Sequence, residues 1–402
     1  MLTAIEIEHF KSIENLKIDL QNINILVGPN GAGKSNIIDA IRFLKEAVKH
    51  DLDRAVSERH GIDSIRQWSP YRPYHVKIKI FFDSRYGNGF YSLVLGSSNH
   101  YYYIVREEGE IIVNRRRLMG RKVHSKSVNI TRKIKFYRDK NGIIIESGKN
   151  KHQIDMDEID KDDLFINVNY ALNIDKYNHF ILFGISRTIM DFEAYSIFPN
   201  TLRNPQKPSS DRILSSSGEN LNSIFKALNK SSRVGSNARN EIIYYMKNIM
   251  PNLEQIMIHS IGGLMVPTFR VREKDGKRHD FNVSQISDGT LRVFGILTSL
   301  YQPNIPDIVA LEEPEQTINP AILALLAEAM LDASERSQIL VTTHSPHLVD
   351  YFHPDQIFAI EMNNEGITAA NGISAAQKKA VKEKLFSLSE LISMEGLHGE
   401  DV

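Results

Sequence analysis

The sequence of 402 residues contains no cysteine. Disulfide bonds, thiolate metal sites and cysteine nucleophiles are therefore excluded, and this composition is compatible with a reducing compartment such as the cytosol. A net charge is lacking as well, because 49 lysine and arginine residues balance 49 aspartate and glutamate residues. The overall charge thus indicates no partner, and only a local cluster of one sign could do so.

Long apolar runs are also lacking. No stretch approaches the roughly 20 apolar residues that a membrane-spanning helix needs, and the first segment carries Glu6, Glu8 and Lys11, which a signal peptide would not. We therefore expect a cytoplasmic protein with no membrane partner. With 42% hydrophobic and 24% charged residues, the chain has an ordinary globular composition. Its length allows one large or two moderate domains.

The order of apolar patterns along the chain predicts an α/β fold. Residues 5–8 and 23–27 have the pattern of strands, and apolar residues recur at helical spacing from Lys34 onward. Residues from about 76 to 140 are rich in β-branched and aromatic side chains, which predicts a β-rich middle. Ser216 and Glu219 have the spacing of a capping box, which predicts the start of an amphipathic helix. Strands at 308–311 and 339–342 flank a helix in the last third.

A glycine-rich turn follows the second predicted strand. Residues 28–35 match the phosphate-loop pattern G-x-x-x-x-G-K-[ST] at every defined position. The glycines let the backbone curl so that N–H groups point at phosphate oxygens, and the next helix adds its positive end. In this pattern Lys34 reaches the β- and γ-phosphates, and Ser35 ligates Mg²⁺. A chance match is the alternative, but the motif lies between a strand and a helix, as a phosphate loop must.

Paired carboxylates end another apolar strand. Residues 308–311 are followed by Glu312 and Glu313, and the later strand at 339–341 is followed by Thr343 and His344. Two glutamates after a strand are often only solvated surface. A parallel sheet, however, brings such side chains to the edge where a phosphate loop begins. The order of these groups therefore favours a nucleotide-hydrolysing site.

Together these motifs resemble the RecF, SMC and OLD branch of the ABC-type ATPases. The matching segments are the phosphate loop, or Walker A motif, at 28–35, a signature-like stretch at 283–292, a Walker B motif at 308–313, a D-loop-like stretch at 316–320, the switch histidine His344, the opening Phe10-Lys11-Ser12 and the helix that begins at Gly218. The resemblance is weak between about 75 and 180. It implies a P-loop ATPase head with ATPase lobe I at 1–180, a helical insert at 181–262 and lobe II at 263–402.

The same resemblance implies the roles of individual residues. Glu313 polarises the attacking water, His344 senses the γ-phosphate, Lys34 neutralises the phosphates, and Glu312 helps Ser35 to hold Mg²⁺. Ser287 and Gly289 of a second copy cap the γ-phosphate, so ATP and Mg²⁺ are the expected cofactors and a homodimer is the expected active form. The residues expected to contact the nucleotide within one copy are Asn30, Gly31, Ala32, Gly33, Lys34, Ser35 and Asn36.

Three positions depart from the family pattern or leave it open. Asp288 replaces a glycine of the transporter signature, which is expected to change how tightly the second copy grips ATP. Glu312 replaces the commoner aspartate, and its extra methylene leaves direct contact with Mg²⁺ open. Gln67, beside Trp68, is the candidate for the glutamine that joins the metal site to the rest of the protein, with a plain surface residue as the alternative.

A basic segment at 114–140 is the strongest indication of a macromolecular partner. It holds eleven lysine and arginine residues: Arg115, Arg116, Arg117, Arg121, Lys122, Lys126, Arg132, Lys133, Lys135, Arg138 and Lys140. Such density favours salt-dependent binding to nucleic acid, and Tyr101, Tyr102 and Tyr103 are placed nearby to stack on bases. A solvated charged face or a protein-docking surface is the alternative. The acidic stretch at 155–163 lacks clustered histidines and indicates a solvated loop.

The expected function is an ATP-driven switch or sensor that acts on nucleic acid or on an effector protein. The resemblance suggests DNA repair or defence against phage as the context. The segment after His344 is too short for the nuclease domain of OLD relatives, so any nuclease or toxin activity is expected from a partner. One alternative is a slow-hydrolysing, nucleotide-gated scaffold that holds an effector or toxin. A transporter's nucleotide-binding subunit is disfavoured by the Phe10-Lys11-Ser12 opening and the atypical signature.

Overall fold

The computed structural model describes residues 1–69, 73–114, 131–139, 142–147, 150–154, 163–168, 176–228, 233–394 and 397. The chain forms two compact units: unit 1 comprises Met1–Gln21, Pro29–Phe192 and Ile360–Asn371, and unit 2 comprises Asn22–Gly28, Glu193–Ala359 and Gly372–Val402. Each unit is built from three separate segments of the chain. The predicted domains, divided at 180 and 262, are instead continuous stretches of sequence. The difference arises because an early strand pairs with strands from the last third of the chain.

The strands come in three sheets. In chain order they are β1 (Leu2–Phe10), β2 (Ile13–Asp19), β3 (Ile23–Val27), β4 (Val76–Ser84), β5 (Gly87–Ser98), β6 (Tyr101–Asn114), β7 (Thr131–Asp139), β8 (Gly142–Ser147), β9 (Asn150–Ile154), β10 (Phe192–Tyr195), β11 (Leu253–Ile261), β12 (Leu264–Arg272), β13 (Arg278–Asn282), β14 (Ile308–Glu312), β15 (Gln338–Thr343), β16 (Ile357–Met362) and β17 (Thr368–Gly372). The predicted strands near residues 5, 25, 80, 103, 135, 310 and 340 all belong to this set.

The helices of the described residues are short or of medium length. The α-helices are α1 (Lys34–Lys49), α2 (Leu52–Ser57), α3 (Ile62–Ile65), α4 (Phe165–Val168), α5 (Lys176–Met190), α6 (Pro199–Arg203), α7 (Leu221–Ala227), α8 (Arg233–Ile249), α9 (Asp288–Tyr301), α10 (Leu323–Ser334), α11 (Pro346–Val349), α12 (Ala375–Lys382) and α13 (Leu388–Met394). Single 3₁₀ turns lie at Val283–Gln285, Pro320–Ile322 and Pro354–Gln356. None of the helices in the described ranges is long and apolar enough to cross a bilayer.

Unit 1 is built on an antiparallel sheet of eight strands in the order β2-β1-β4-β5-β6-β7-β8-β9. Its first strands bury one row of apolar side chains, since Ile5 stands opposite Ile18 on one side and Ile80 on the other. Such cross-strand pairs are the unit of sheet stability. The β-rich middle predicted from the sequence is therefore confirmed.

A buried carboxylate joins this sheet to the segment that follows it. Glu107 of β6 is fully buried. It accepts hydrogen bonds from the backbone N–H of Phe165 at 2.7 Å and of Ile166 at 3.2 Å, and from the Tyr91 hydroxyl at 3.1 Å. The guanidinium of Arg138 lies 4.0 Å away. Burial raises the pKa of Glu107, and these donors compensate in part for the lost hydration.

Unit 2 contains a parallel sheet in which β3 lies between β15 and β16, with β14 on the far side of β15 and β10 beside β14. All five residues of β3 and all six of β15 are buried, as expected for central strands of a parallel sheet. The register aligns the strand ends: Glu312 pairs with Thr342, and Thr343 pairs with Val27. The predicted α/β class is confirmed.

Helix α9 forms the centre of the unit 2 core. Every residue from Thr290 to Tyr301 is buried, so this mainly apolar helix is enclosed on all sides, as a core helix is. Its Phe294 makes edge-on contacts with Phe225 at 5.0 Å and Phe269 at 5.7 Å between ring centroids. The packing fixes the position of the helix start, which carries the signature-like residues.

The amphipathic helix predicted near 221–228 is present as α7, but the predicted capping box is wrong. The residue at the N-cap position is Asn220, and its side chain makes no capping hydrogen bond to the helix. Gly218 adopts φ +83°, so the chain turns between Ser216 and the helix. The side chain of Asn220 instead accepts from the N–H of Ser215 at 2.8 Å, which braces the preceding loop.

Candidate functional site

The phosphate loop of unit 1 has the backbone that its sequence predicts. Gly31 and Gly33 adopt φ +82° and +97°, a region open to glycine and strained for other residues. Gly33 is the N-cap of α1, and no side chain caps that helix. Because no side chain caps it, an anion can approach the start of α1, where the helix dipole is positive.

The polar side chains of the loop have different surroundings. Lys34 is 5% exposed, and its amine donates to the carbonyl of Pro29 at 3.0 Å. Ser35 is exposed on the first turn of α1, so its hydroxyl is accessible to a metal ion. Asn36, by contrast, donates from Nδ2 to the hydroxyl of Ser12 at 2.7 Å. Asn30 lies exposed at the tip of the loop.

Gln67 lies beside the first strand of the same unit. Its N–H donates to the carbonyl of His9 at 2.8 Å, and its side-chain Oε1 is 2.9 Å from Nδ1 of His9. The carbonyl oxygen that would bind Mg²⁺ is therefore already engaged by an imidazole. A role at the metal remains a prediction for Gln67.

Glu313 and His344 meet in unit 2 at the edge where the parallel strands end. Nδ1 of His344 hydrogen-bonds to Oε2 of Glu313, and the backbone N–H of His344 donates to the same oxygen at 3.2 Å. Glu313 adopts φ +46°, which is unusual for a residue with a side chain. Its N–H donates to the carbonyl of Thr342 at 2.9 Å. Strained backbone of this kind concentrates at functional sites.

A third group, Glu315, completes this cluster and was not predicted. Its Oε1 accepts a hydrogen bond from the Thr343 hydroxyl at 2.6 Å, while its buried Oε2 has no hydrogen-bond partner. Burial raises the pKa of Glu315 to about 7, because a desolvated carboxylate is costly. Ligand atoms of Glu313, Glu315 and His344 lie within 4.8 Å of one another. The available signal was the glutamate after Pro314, which lies between the Walker B motif and the D-loop-like stretch and was assigned no role.

A buried arginine supports the backbone of Glu313. Arg292 of α9 is 2% exposed, and its Nη2 donates to the carbonyl of Glu313 at 2.8 Å. Its Nε and Nη1 have no hydrogen-bond partner. The guanidinium lies 5.3 Å from the ring centroid of Phe198, a distance typical of a cation–π contact. The helix that starts in the signature is thus hydrogen-bonded to the residue predicted to handle water.

The signature residues stand at the start of α9. Ser287 is the N-cap residue, and its hydroxyl accepts from the N–H of Thr290 at 3.2 Å. A β-carbon on Gly289 would approach the carbonyl oxygen of Thr317 to 2.7 Å. Glycine is therefore required here by the close D-loop backbone of the same chain. Thr317 itself has φ +65°.

Asp288, the departure from the transporter signature, is paired within the chain. Its carboxylate accepts from Nη2 of Arg203 at 2.6 Å. The same guanidinium donates to the carbonyls of Val283 at 2.8 Å and Ile286 at 2.7 Å. Arg203 thus neutralises the extra acid and fixes the loop that precedes α9.

Much of the predicted nucleic-acid surface lies outside the described residues. Within them, Arg138 is buried beside Glu107, so its assignment to this surface is wrong. It occupies the inward face of β7 because side chains alternate along a strand. Lys133 is paired with Glu110 at 2.9 Å. Tyr101 is 79% exposed.

Tyr102 and Tyr103, which were also predicted to stack on bases, have different surroundings. The Tyr102 hydroxyl donates to a carboxylate oxygen of Asp53. Tyr103 is 45% exposed, and its ring lies over Gly96. Tyr101 and Tyr103 remain accessible for stacking. Of the acidic stretch at 155–163, only its last residue is described.

Comparison with known proteins identifies a family for this chain. The family described as "AAA domain, putative AbiEii toxin, Type IV TA system" matches residues 23–350. The DNA replication and repair protein RecF of Lactococcus lactis subsp. lactis (strain IL1403) is 46% identical over 50 residues, which are 12% of this chain and 14% of that protein. The chromosome partition protein Smc of Methanocaldococcus jannaschii is 50% identical over 44 residues, which are 11% of this chain and 4% of that protein.

The fold has a solved counterpart. The crystal structure of an SMC head bound to the C-winged helix domain of ScpA covers 95% of this chain and 99% of that chain, with a TM-score of 0.52 and 14% sequence identity. The sequence relatives are matched over a small part of their own length. The P-loop ATPase head fold and the kinship with RecF and SMC proteins, expected from the motifs, are confirmed.

Proposed function

Because this chain belongs to the AAA-domain family that matches residues 23–350, we propose that it binds ATP with Mg²⁺ and hydrolyses it as a homodimer. The observation that carries the proposal is the contact between Glu313 and His344. A carboxylate that can accept a proton from water and an imidazole that can sense a phosphate are brought together from distant parts of the sequence. Glu313 adopts φ +46°, and Arg292 stabilises this backbone by donating to the Glu313 carbonyl.

The phosphate loop is the part of the proposed site that binds the phosphates of ATP. Backbone N–H groups of the loop and the uncapped start of α1 bind phosphate oxygens. On ATP binding, Lys34 would exchange the carbonyl of Pro29 for the phosphates, and Ser35 and Glu312 are the residues that would hold Mg²⁺. Mg²⁺, when bound, would supply positive charge that offsets the charge of the phosphates.

Glu313 and His344 act on the attacking water. The imidazole of His344 hydrogen-bonds to a carboxylate oxygen of Glu313. We assign to His344 the exchange of this partner for the γ-phosphate, so that the Glu313 carboxylate can orient water and accept its proton. Arg292 maintains the position of Glu313 through its backbone carbonyl during this exchange.

A second copy completes the site through its signature. The start of α9, with Ser287 at its N-cap, offers backbone N–H groups to the γ-phosphate held by the twin. Asp288 would repel that phosphate if its charge were uncompensated, but Arg203 neutralises it at 2.6 Å. The atypical signature therefore remains compatible with an anionic ligand.

The biological role we propose is that of a switch or sensor acting on nucleic acid or on an effector protein, in DNA repair or defence against phage. The similarity to RecF, named a DNA replication and repair protein, supports a role on DNA. The alternative is a nucleotide-gated scaffold with slow hydrolysis. It is favoured by the hydrogen bond between Glu313 and His344, which engages the predicted proton acceptor, and by the toxin named in the family description.

Glu313→Gln tests the proposed function. With ATP and Mg²⁺ we expect this variant to elute from gel filtration as a dimer that hydrolyses ATP at least about a hundredfold more slowly, because the proton acceptor is lost. Lys34→Ala is the matched control and should stay monomeric with ATP. A Glu313→Gln protein that binds ATP without associating would contradict the dimer. Marked stimulation of wild-type turnover by DNA would favour the sensor over the scaffold.

A further inference from the structure

A chain of hydroxyl groups lies behind the phosphate loop, and part of it comes from the far end of the sequence. Thr368 of β17 donates from Oγ1 to the carbonyl of Ala32 at 2.9 Å. The same Oγ1 is 2.7 Å from the hydroxyl of Ser12. Ser12 in turn receives the amide of Asn36 at 2.7 Å. All these residues belong to unit 1.

The direction of each hydrogen bond in this chain is determined. A carbonyl oxygen only accepts, so the single hydroxyl proton of Thr368 is used on Ala32. Thr368 must then accept the proton of Ser12, and Ser12 must accept from the amide nitrogen of Asn36. A chain of this kind is cooperative, because each bond polarises the next. Its end point is the peptide group between Ala32 and Gly33.

That peptide group belongs to the surface that binds phosphate. The peptide bond is planar and trans, so the N–H of Gly33 points opposite to the carbonyl of Ala32. Thr368 therefore fixes the direction of the Gly33 N–H by holding the carbonyl on the other side. A β-carbon at position 33 would lie 2.1 Å from Oγ1 of Thr368 and 2.9 Å from Oγ of Ser12. Glycine is needed there both for its φ of +97° and for these hydroxyls.

A second set of contacts ties Thr368 to the turn at Ser12. The N–H of Thr368 donates to the carbonyl of Ser12 at 2.8 Å. Thr368 itself is buried, with 1% of its surface exposed. Ala32 is equally buried, so water cannot easily replace a lost hydroxyl. An unpaired buried carbonyl is costly and would reorient its peptide group.

We propose that Thr368 is a positioning residue for the phosphate-binding loop and that, with Ser12, it presets the Gly33 N–H for the triphosphate. This inference rests on the proposed function, in that the ligand is taken to be ATP. It gives the Phe10-Lys11-Ser12 turn and β17 a shared purpose: they buttress a loop that lies between them in the sequence. Preorganised donors raise affinity because no ordering is needed when the ligand binds.

Thr368→Val tests the proposal, since valine keeps the shape and removes the hydroxyl, while Thr368→Ser keeps the hydroxyl. Binding of a fluorescent ATP analogue with Mg²⁺ should weaken about tenfold or more in Thr368→Val, equivalent to about 1.4 kcal/mol. It should stay within about twofold of wild type in Thr368→Ser. Ser12→Ala should weaken binding as well, and the double variant should lose less than the sum of both, because the two hydroxyls share one chain.

Hydrogen exchange in nucleotide-free protein gives a readout that does not depend on ATP. Backbone amides of residues 30–36 should exchange faster in Thr368→Val than in wild type, and at the wild-type rate in Thr368→Ser. Unchanged exchange and unchanged affinity in Thr368→Val, with or without a lower melting temperature, would overturn the positioning role. Faster exchange together with a wild-type protein that binds no ATP would support the positioning of the loop while refuting the proposed function.

Discussion

Glu315→Gln should change the pH dependence of stability in a defined direction. Glu315 is 8% exposed, and burial raises its pKa to about 7, against 4.5 for an unperturbed carboxyl. The folded protein therefore binds more protons than the unfolded chain between these two values. The free energy of unfolding of the wild-type protein should fall as pH rises through this window, as far as Glu315 contributes. Glutamine is neutral throughout and removes that contribution.

The magnitude follows from the proton affinities. Each tenfold change in proton affinity corresponds to about 1.4 kcal/mol, so a pKa of about 7 instead of 4.5 sets an upper limit of about 3 kcal/mol. We expect Glu315→Gln to be more stable relative to wild type at pH 8.5 than at pH 5, by about 1–3 kcal/mol. Below pH 4.5 the two proteins should respond to pH alike.

Urea unfolding at pH 5 and pH 8.5 measures this difference directly. Glu328→Gln is the matched control, because Glu328 is exposed on α10 and its substitution makes the same chemical change at the surface. A stability difference between Glu315→Gln and wild type that is the same at both pH values would refute the reasoning. So would a difference of the opposite sign, since it would mean that the folded state favours the charged carboxylate.

Three further substitutions test single contacts. Arg292→Met keeps the bulk of the side chain but removes the hydrogen bond from Nη2 to the carbonyl of Glu313, so ATP turnover should fall about tenfold to a hundredfold with little change in nucleotide affinity. Arg292→Lys should restore turnover in part. An unchanged turnover rate constant in Arg292→Met would contradict the role of Arg292. Gly289→Ala brings a β-carbon to 2.7 Å from a D-loop carbonyl and should abolish ATP-dependent dimers seen by light scattering, whereas Gly372→Ala, with nothing within 4 Å, should not. Glu107→Ala removes the acceptor of two buried backbone N–H groups and should lower the free energy of urea unfolding by about 3–5 kcal/mol. A loss below about 1 kcal/mol would contradict the account of that carboxylate.

Sequence reasoning found what is encoded locally. The strand, turn and helix around residues 23–49 could be predicted because apolar spacing and glycine positions decide them within a few residues. The same holds for the strands that end at Glu312 and Thr343, whose shared edge follows from parallel pairing. Motif order then indicated the family.

The contacts that depend on distant parts of the chain could not be predicted. Ser12 and Thr368 are 356 positions apart, and neither stands in a pattern that indicates a partner. In the sequence Arg292 is one charged residue in a mainly apolar helix. Only the packed core shows that it donates to the backbone carbonyl of Glu313. Glu315 becomes distinctive through burial, which depends on tertiary packing. Arg138 was assigned to the surface because composition does not report which face of a strand is covered.

Mixing two inactive variants is the most direct test of the claim that each ATP is gripped by two copies. Lys34→Ala cannot bind the phosphates, and Ser287→Arg, at an exposed position, blocks the signature of the same copy. A dimer with one of each retains one site made of an intact phosphate loop and an intact signature. We predict that ATP hydrolysis, near background for each variant alone, returns on mixing. Mixtures that stay inactive, or a Ser287→Arg protein that hydrolyses ATP normally by itself, would contradict the shared site.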